Sequence, residues 1–249
     1  MKQFGFAAFL FVLFSSAPPA FASQPSPFRA LIYKGPGSCA EGCSESAAQM
    51  AQSMGMETRF VSPREIRPEI FKGVQLWIQP GGNAIEVSKA LKPAQLETIR
   101  NFVSNGGGYV GFCAGAFLAD STVDDHGKVR GLGMLPVPSK DLDVDSRRYG
   151  IMLPVLWRGA GVRQVYFYGG ASFEARPGAK MEVLAYYSNR EIAALHSMFG
   201  RGNVVVAGFH PEAPDSWKTL TGMPDPDGLD WDLAAQMIKH AVPFRLNRH

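Results

Sequence analysis

The sequence predicts an α/β domain with a mostly parallel central sheet and antiparallel strands in its second half. Three observations carry this. Short apolar runs alternate with helix-period segments through the first half of the chain. Most of those runs stop at Gly- or Pro-rich turns. From Val162 onward, strand-like runs follow one another with short turns between them, which suits antiparallel neighbours.

The elements read in order as follows. Phe28 to Tyr33 is apolar and ends at Gly35-Pro36-Gly37, so it reads as the first strand. Ser44 to Met54 carries Ala47, Ala48, Met50, Ala51 and Met54 at helical spacing, with Ser44 as the expected N-cap. Glu57 to Val61 and Val74 to Ile78 read as the next two strands, the latter stopped by Pro80-Gly81-Gly82. Pro93 to Val103 is the clearest helix: Pro93 suits a first turn, and Leu96, Ile99, Phe102 and Val103 form an apolar stripe. Gly108 to Phe112 is a strand, and Ala114 to Ala119 a short helix. Asp120 to Ile151 is polar and reads as a long excursion near the sheet edge. Val162–Tyr168, Met181–Tyr187, Glu191–His196 and Val204–Phe209 are strand-like, and Asp230 to Ala241 reads as a closing helix. One domain, residues 23–249, accounts for the pattern.

Composition supports a packed globular chain. Of 249 residues, 46% are hydrophobic and 19% charged, which excludes a disordered protein. The formal net charge of +3 is too even to imply a nucleic-acid partner. Residues 1–22 have the pattern of a signal peptide: Lys2, an apolar stretch from Phe4 to Phe14, then Ala20-Phe21-Ala22 as a cleavage motif. That stretch is shorter than the about 20 residues a membrane span needs, so no stable membrane anchor is expected. Export to the periplasm or outside, with cleavage near Ala22, places the product where disulfides form.

Gly111-Phe112-Cys113-Ala114-Gly115 joins a strand to a helix, the setting of a nucleophile elbow with cysteine at its apex. A helix start favours an anion, and the Ala114 amide would face charge developing at an attacked carbonyl. His210 follows the last strand in Gly208-Phe209-His210-Pro211-Glu212, where it can act as base with Glu212 orienting it. Gly82, after its own strand, would give a second oxyanion amide. No spacing of metal ligands stands out. Cys39 and Cys43 flank three residues, a spacing open to three readings: a disulfide, a weak metal pair, or thiols that resolve an oxidised Cys113.

These motifs resemble the class I glutamine amidotransferase-like superfamily. More narrowly they are similar to the biotin-protein ligase N-terminal domain family, through Tyr33-Lys34-Gly35-Pro36-Gly37, Pro80-Gly81-Gly82-Asn83-Ala84, Gly107 to Ala116 and Gly208 to Glu212. The resemblance implies a flavodoxin-like three-layer sandwich and a triad of Cys113, His210 and Glu212, with Gly82 and Ala114 as oxyanion donors. It implies attack on a carboxamide. No Gly-rich, Lys-bearing nucleotide loop is present, and no cofactor, biotin or ATP included, is expected.

Three functions follow as expectations. The first is an exported cysteine hydrolase, amidase- or glutaminase-like, acting on a small-molecule or peptide amide. The second is a catalytically silent binding module of the same fold. The third is a redox-sensing thiol protein in which Cys113 pairs with Cys39 or Cys43. Oligomeric state is not legible in the sequence.

Overall fold

In the computed structural model, which describes residues 28–124, 126–144 and 150–242, the chain opens with β1 (Arg29–Tyr33), α1 (Cys43–Ser53), β2 (Glu57–Val61) and β3 (Leu76–Gln79). It continues with α2 (Ala84–Ala90), α3 (Pro93–Ser104), β4 (Gly108–Phe112) and α4 (Ala114–Ala119). Next come β5 (Ser139–Asp141), β6 (Ile151–Trp157), β7 (Gly161–Phe167), β8 (Ala171–Phe173), β9 (Met181–Tyr187), β10 (Ile192–Phe199) and β11 (Gly202–Ala207). Two helices follow, α5 (Asp215–Leu220) and α6 (Trp231–Ala241). The expected signal peptide, residues 1–22, lies outside the described residues.

The sheet runs β2-β1-β3-β4-β11-β10-β9-β6-β7. Its first five strands are mutually parallel, and each later neighbour on this path pairs antiparallel. Side chains alternate across the pleat, so each central strand feeds both faces. Leu76 and Ile78 pack with Ala47, Met50 and Ala51 of α1 and with Leu233, Met237 and Ile238 of α6. Trp77, between them in β3, faces the opposite layer with Val87 of α2, Leu96 and Ile99 of α3, and Leu118 of α4. Helix layers on both faces make this a flavodoxin-like α/β sandwich with a largely parallel centre.

Two local expectations differ from the structure. The helix expected to be capped by Ser44 begins at Cys43, because Gly42 takes a left-handed φ of 93° ahead of it. The Ser44 hydroxyl donates instead to the Tyr33 carbonyl at 2.8 Å. β6 was not foreseen, since Pro154 interrupts its pattern. It forms because Pro154 pairs with Gln164 of β7, while the ladder to β9 starts only at Val155.

A buried charge network fixes the segment between His210 and α6. Arg163 of β7 meets Asp227 at 2.7 Å, Asp230 at 3.1 Å and Asp232 at 2.7 Å. Lys218 of α5 meets Asp230 at 2.8 Å and Asp225 at 3.0 Å. Lys218 and Asp230, the most buried of these charges, persist because they are paired. Among the described residues, no helix is long and apolar enough to cross a membrane.

Candidate functional site

The carboxyl ends of β1, β3, β4 and β11 share one edge, so the loops that leave them meet. Cys113 leaves β4 with φ 48° and ψ −105°. Arg190 is the one other non-glycine residue with positive φ among those described. This uncommon conformation is held by the Cys113 amide donating to Ala207 of β11 at 2.9 Å and by α4 starting at the next residue. The thiol is buried, 2% exposed, with Sγ 3.3 Å from the Gly169 carbonyl and 3.8 Å from that of Tyr168.

His210 and Glu212 are brought in beyond β11. The His210 amide donates to the Tyr166 carbonyl at 2.9 Å, and Nδ1 lies 3.0 Å from Glu212 Oε1. Glu212 is fully buried. Its carbonyl accepts from Ser46 Oγ at 2.5 Å and Trp231 Nε1 at 3.3 Å. Its second carboxylate oxygen has no hydrogen-bond partner among the described residues. The imidazole meets Tyr166 and Trp217 edge to face, at 5.6 and 5.9 Å between ring centroids. Burial works against a charged ring. Charge and hydrogen bonds from Cys113 and Glu212 outweigh it, and the His210 pKa is pushed up to about 10.

Cys39 and Cys43 form a disulfide, with Cα atoms 5.6 Å apart. Its Cys43 end sits against the histidine: the Cys43 sulfur, a His210 ring nitrogen and a Glu212 oxygen all lie within 4.8 Å of one another. Gly81 makes room for this packing. A Cβ there would fall 2.2 Å from His210 Cε1 and 3.2 Å from Cys43 Sγ. Gly82, at φ 140°, lines the cavity above, whereas Ala114 begins α4 and is not among the lining residues. The cavity holds about 260 Å³, and all three cysteines, His210, Tyr166 and Trp217 border it. A larger cavity of about 800 Å³ lies elsewhere, around Phe71, Phe102 and Val242, and no titratable side chain lines it.

The expected cysteine hydrolase is corrected by this geometry. The cysteine that clusters with both His210 and Glu212 is Cys43, and its sulfur is bonded to Cys39, so that cysteine is not a free nucleophile. The free thiol, Cys113, hydrogen-bonds to His210 and contacts two backbone carbonyls, and it is not part of that three-residue cluster. Cys113 is therefore not assigned as a catalytic cysteine, and the chain is not read as an amidase or glutaminase. Nor does the Cys43 cluster offer a thiolate to a metal while the disulfide is intact.

Comparison with known proteins fits the architecture. Residues 28–130 match the family described as biotin-protein ligase, N terminal. The fold is glutamine-amidotransferase-like and related to that ligase region. A curated relative, the biotin–protein ligase of Schizosaccharomyces pombe, is 26% identical over 177 residues. The alignment covers 62% of this chain and 28% of the ligase, so the chain spans well under half of its relative. Among solved structures, a glutamine amidotransferase superposes with a TM-score of 0.62 at 19% identity, over 86% of this chain and 98% of that one. A glutamine amidotransferase from Thermotoga maritima gives 0.53 at 13%, over 85% and 84%. A beta-galactosidase from Bacillus circulans sp. alkalophilus gives 0.55 at 16%, covering 86% of this chain and 31% of the galactosidase. Likeness at these identities speaks for the fold.

Tyr166 and Trp217 carry no motif in the sequence. Trp217 reaches the cavity from α5, where its indole donates to the Glu41 carbonyl at 3.2 Å. The nearest signal was its place a few residues beyond His210-Pro211-Glu212.

Proposed function

We propose that this domain is an exported, thiol-responsive binding module rather than a hydrolase. One observation carries the reading: the free thiol of Cys113 and the Cys39–Cys43 disulfide border the same 260 Å³ cavity, with His210 beside both. The cavity is slightly smaller than the roughly 300 Å³ at which drug-sized pockets begin, so it suits a small ligand. Glu41, Glu86 and His210 supply charge and hydrogen bonds at its walls.

The chemistry is thiol–disulfide exchange. The Cys113 sulfur, as a thiolate beside the charged His210 ring, attacks one sulfur of the pair. A new S–S bond forms as the Cys39–Cys43 bond breaks. A thiolate leaves as one attacked, so charge balances and the exchange involves no net oxidation. An external dithiol would reduce the pair, and an external disulfide would re-close one of the pairings around the cavity. Glu212 orients the imidazole through this exchange.

Equilibrating the protein in glutathione buffers of graded potential, then mapping its peptides without reduction, tests the reading. A population with Cys113 bonded to Cys39 or Cys43 is expected at intermediate potentials. A Cys113 that stays free at every potential overturns it.

A further inference from the structure

A second cluster lies on the sheet face under the end of α6. Glu182 of β9 and His196 of β10 are direct cross-strand partners, and His240 comes from the last turn of α6. Each offers one ligand atom, and the three atoms lie within 4.8 Å of one another. Glu182 Oε2 is 3.5 Å from His196 Nδ1 and 3.8 Å from His240 Nδ1. Ligands about 2.0–2.2 Å from a tetrahedral zinc ion stand roughly 3.3 Å apart, so small side-chain rotations close the set.

The surroundings favour a cation. Asn203 Oδ1 lies 2.9 Å from His196 Nε2. That oxygen only accepts, so Nε2 carries the ring proton and Nδ1 presents its lone pair toward the carboxylate. With the ring neutral, two acceptors then face each other, an arrangement that a shared cation satisfies. Arg158 holds the other Glu182 oxygen at 2.6 Å, which orients the carboxylate and leaves Oε2 for an ion. The carboxyl end of α6 turns its negative dipole toward the same spot. All three side chains are partly exposed, so an ion has a way in.

We propose that Glu182, His196 and His240 form a binding site for a divalent transition metal of the zinc class, separate from the thiol cavity. Three protein ligands leave the fourth position to water or to an outside ligand, and the ion would tie α6 to β9 and β10.

Titrating the non-reduced full chain with Zn²⁺ by calorimetry tests this, alongside His240→Ala, His196→Ala and Cys113→Ser. The wild type and Cys113→Ser are expected to bind one equivalent with similar affinity. Each histidine variant should bind at least ~10-fold more weakly, as loss of a ligand or of its support does. Circular dichroism checks that each variant stays folded. Absence of saturable zinc binding, or wild-type affinity in both histidine variants, overturns the proposal. So does a loss of affinity in Cys113→Ser alone.

Discussion

His210 Nδ1 lies 3.0 Å from Glu212 Oε1, in a place where the ring is 4% exposed and the carboxylate fully buried. A buried carboxylate so close holds the imidazole in one orientation and favours its charged form. The ring's pKa lies well above its ordinary 6.5, at about 10, so protonation favours the folded state. The contribution of His210 to stability is complete below about 6.5 and is lost as pH climbs through about 10. Replacing Glu212 by Gln should lower the His210 pKa by about 1 to 3 pH units, read from its ring proton in an NMR titration. The fall in urea stability between pH 6.5 and 10 should shrink in the same variant. Cys113→Ser, titrated in parallel, separates the share owed to the sulfur.

Gly81 is predicted to be irreplaceable for steric reasons. A methyl group at Gly81 would sit 2.2 Å from the His210 ring, so Gly81→Ala must push the imidazole off Glu212 or shift β3. A loss of about 1–3 kcal/mol is expected from overpacking, together with a His210 resonance that titrates nearer its ordinary value. Urea denaturation and the NMR titration read both effects.

Much of this site was legible because its parts end strands. Cys113 and His210 follow β4 and β11, and parallel neighbours deliver their carboxyl ends to one edge. The motif residues could therefore be placed together before any coordinates. The packing of Cys43 against the His210 ring could not. It depends on how the loop after β1 folds over the loop after β11, contacts far apart in the chain that leave no periodic trace. β6 escaped for a local reason, since Pro154 argues against a strand until a neighbour accommodates it. Glu182 and His196 belong to readable strands, yet their meeting with His240 depends on where α6 docks.

The charge network around Asp230 should control the shape of the cavity wall. Asp230→Ala leaves Lys218, 3% exposed, with Asp225 as its remaining carboxylate and takes one carboxylate from Arg163. Breaking a buried pair typically costs about 3–5 kcal/mol. Urea denaturation should show a loss of that order. Trp217, one residue before Lys218 and part of the cavity wall, should report the change as a fluorescence shift.

The disulfide should stabilise the fold modestly, because it closes a very short loop. Loop-closure entropy for a loop of this length gives roughly 2 kcal/mol. Cys39→Ser should lower the thermal midpoint accordingly. Adding a dithiol should then change the midpoint of the wild type but not that of the variant.

The same variant tests the central claim most directly. In Cys39→Ser, two thiols remain, Cys43 and Cys113, bordering one cavity. Mild oxidation with a disulfide reagent, followed by intact mass measurement and non-reducing peptide mapping, asks whether they join. The account predicts a monomer lighter by about 2 Da, with Cys43 and Cys113 in one cross-linked peptide and both protected from alkylation. A monomer in which both thiols stay alkylatable, or carry only the external reagent, would contradict it.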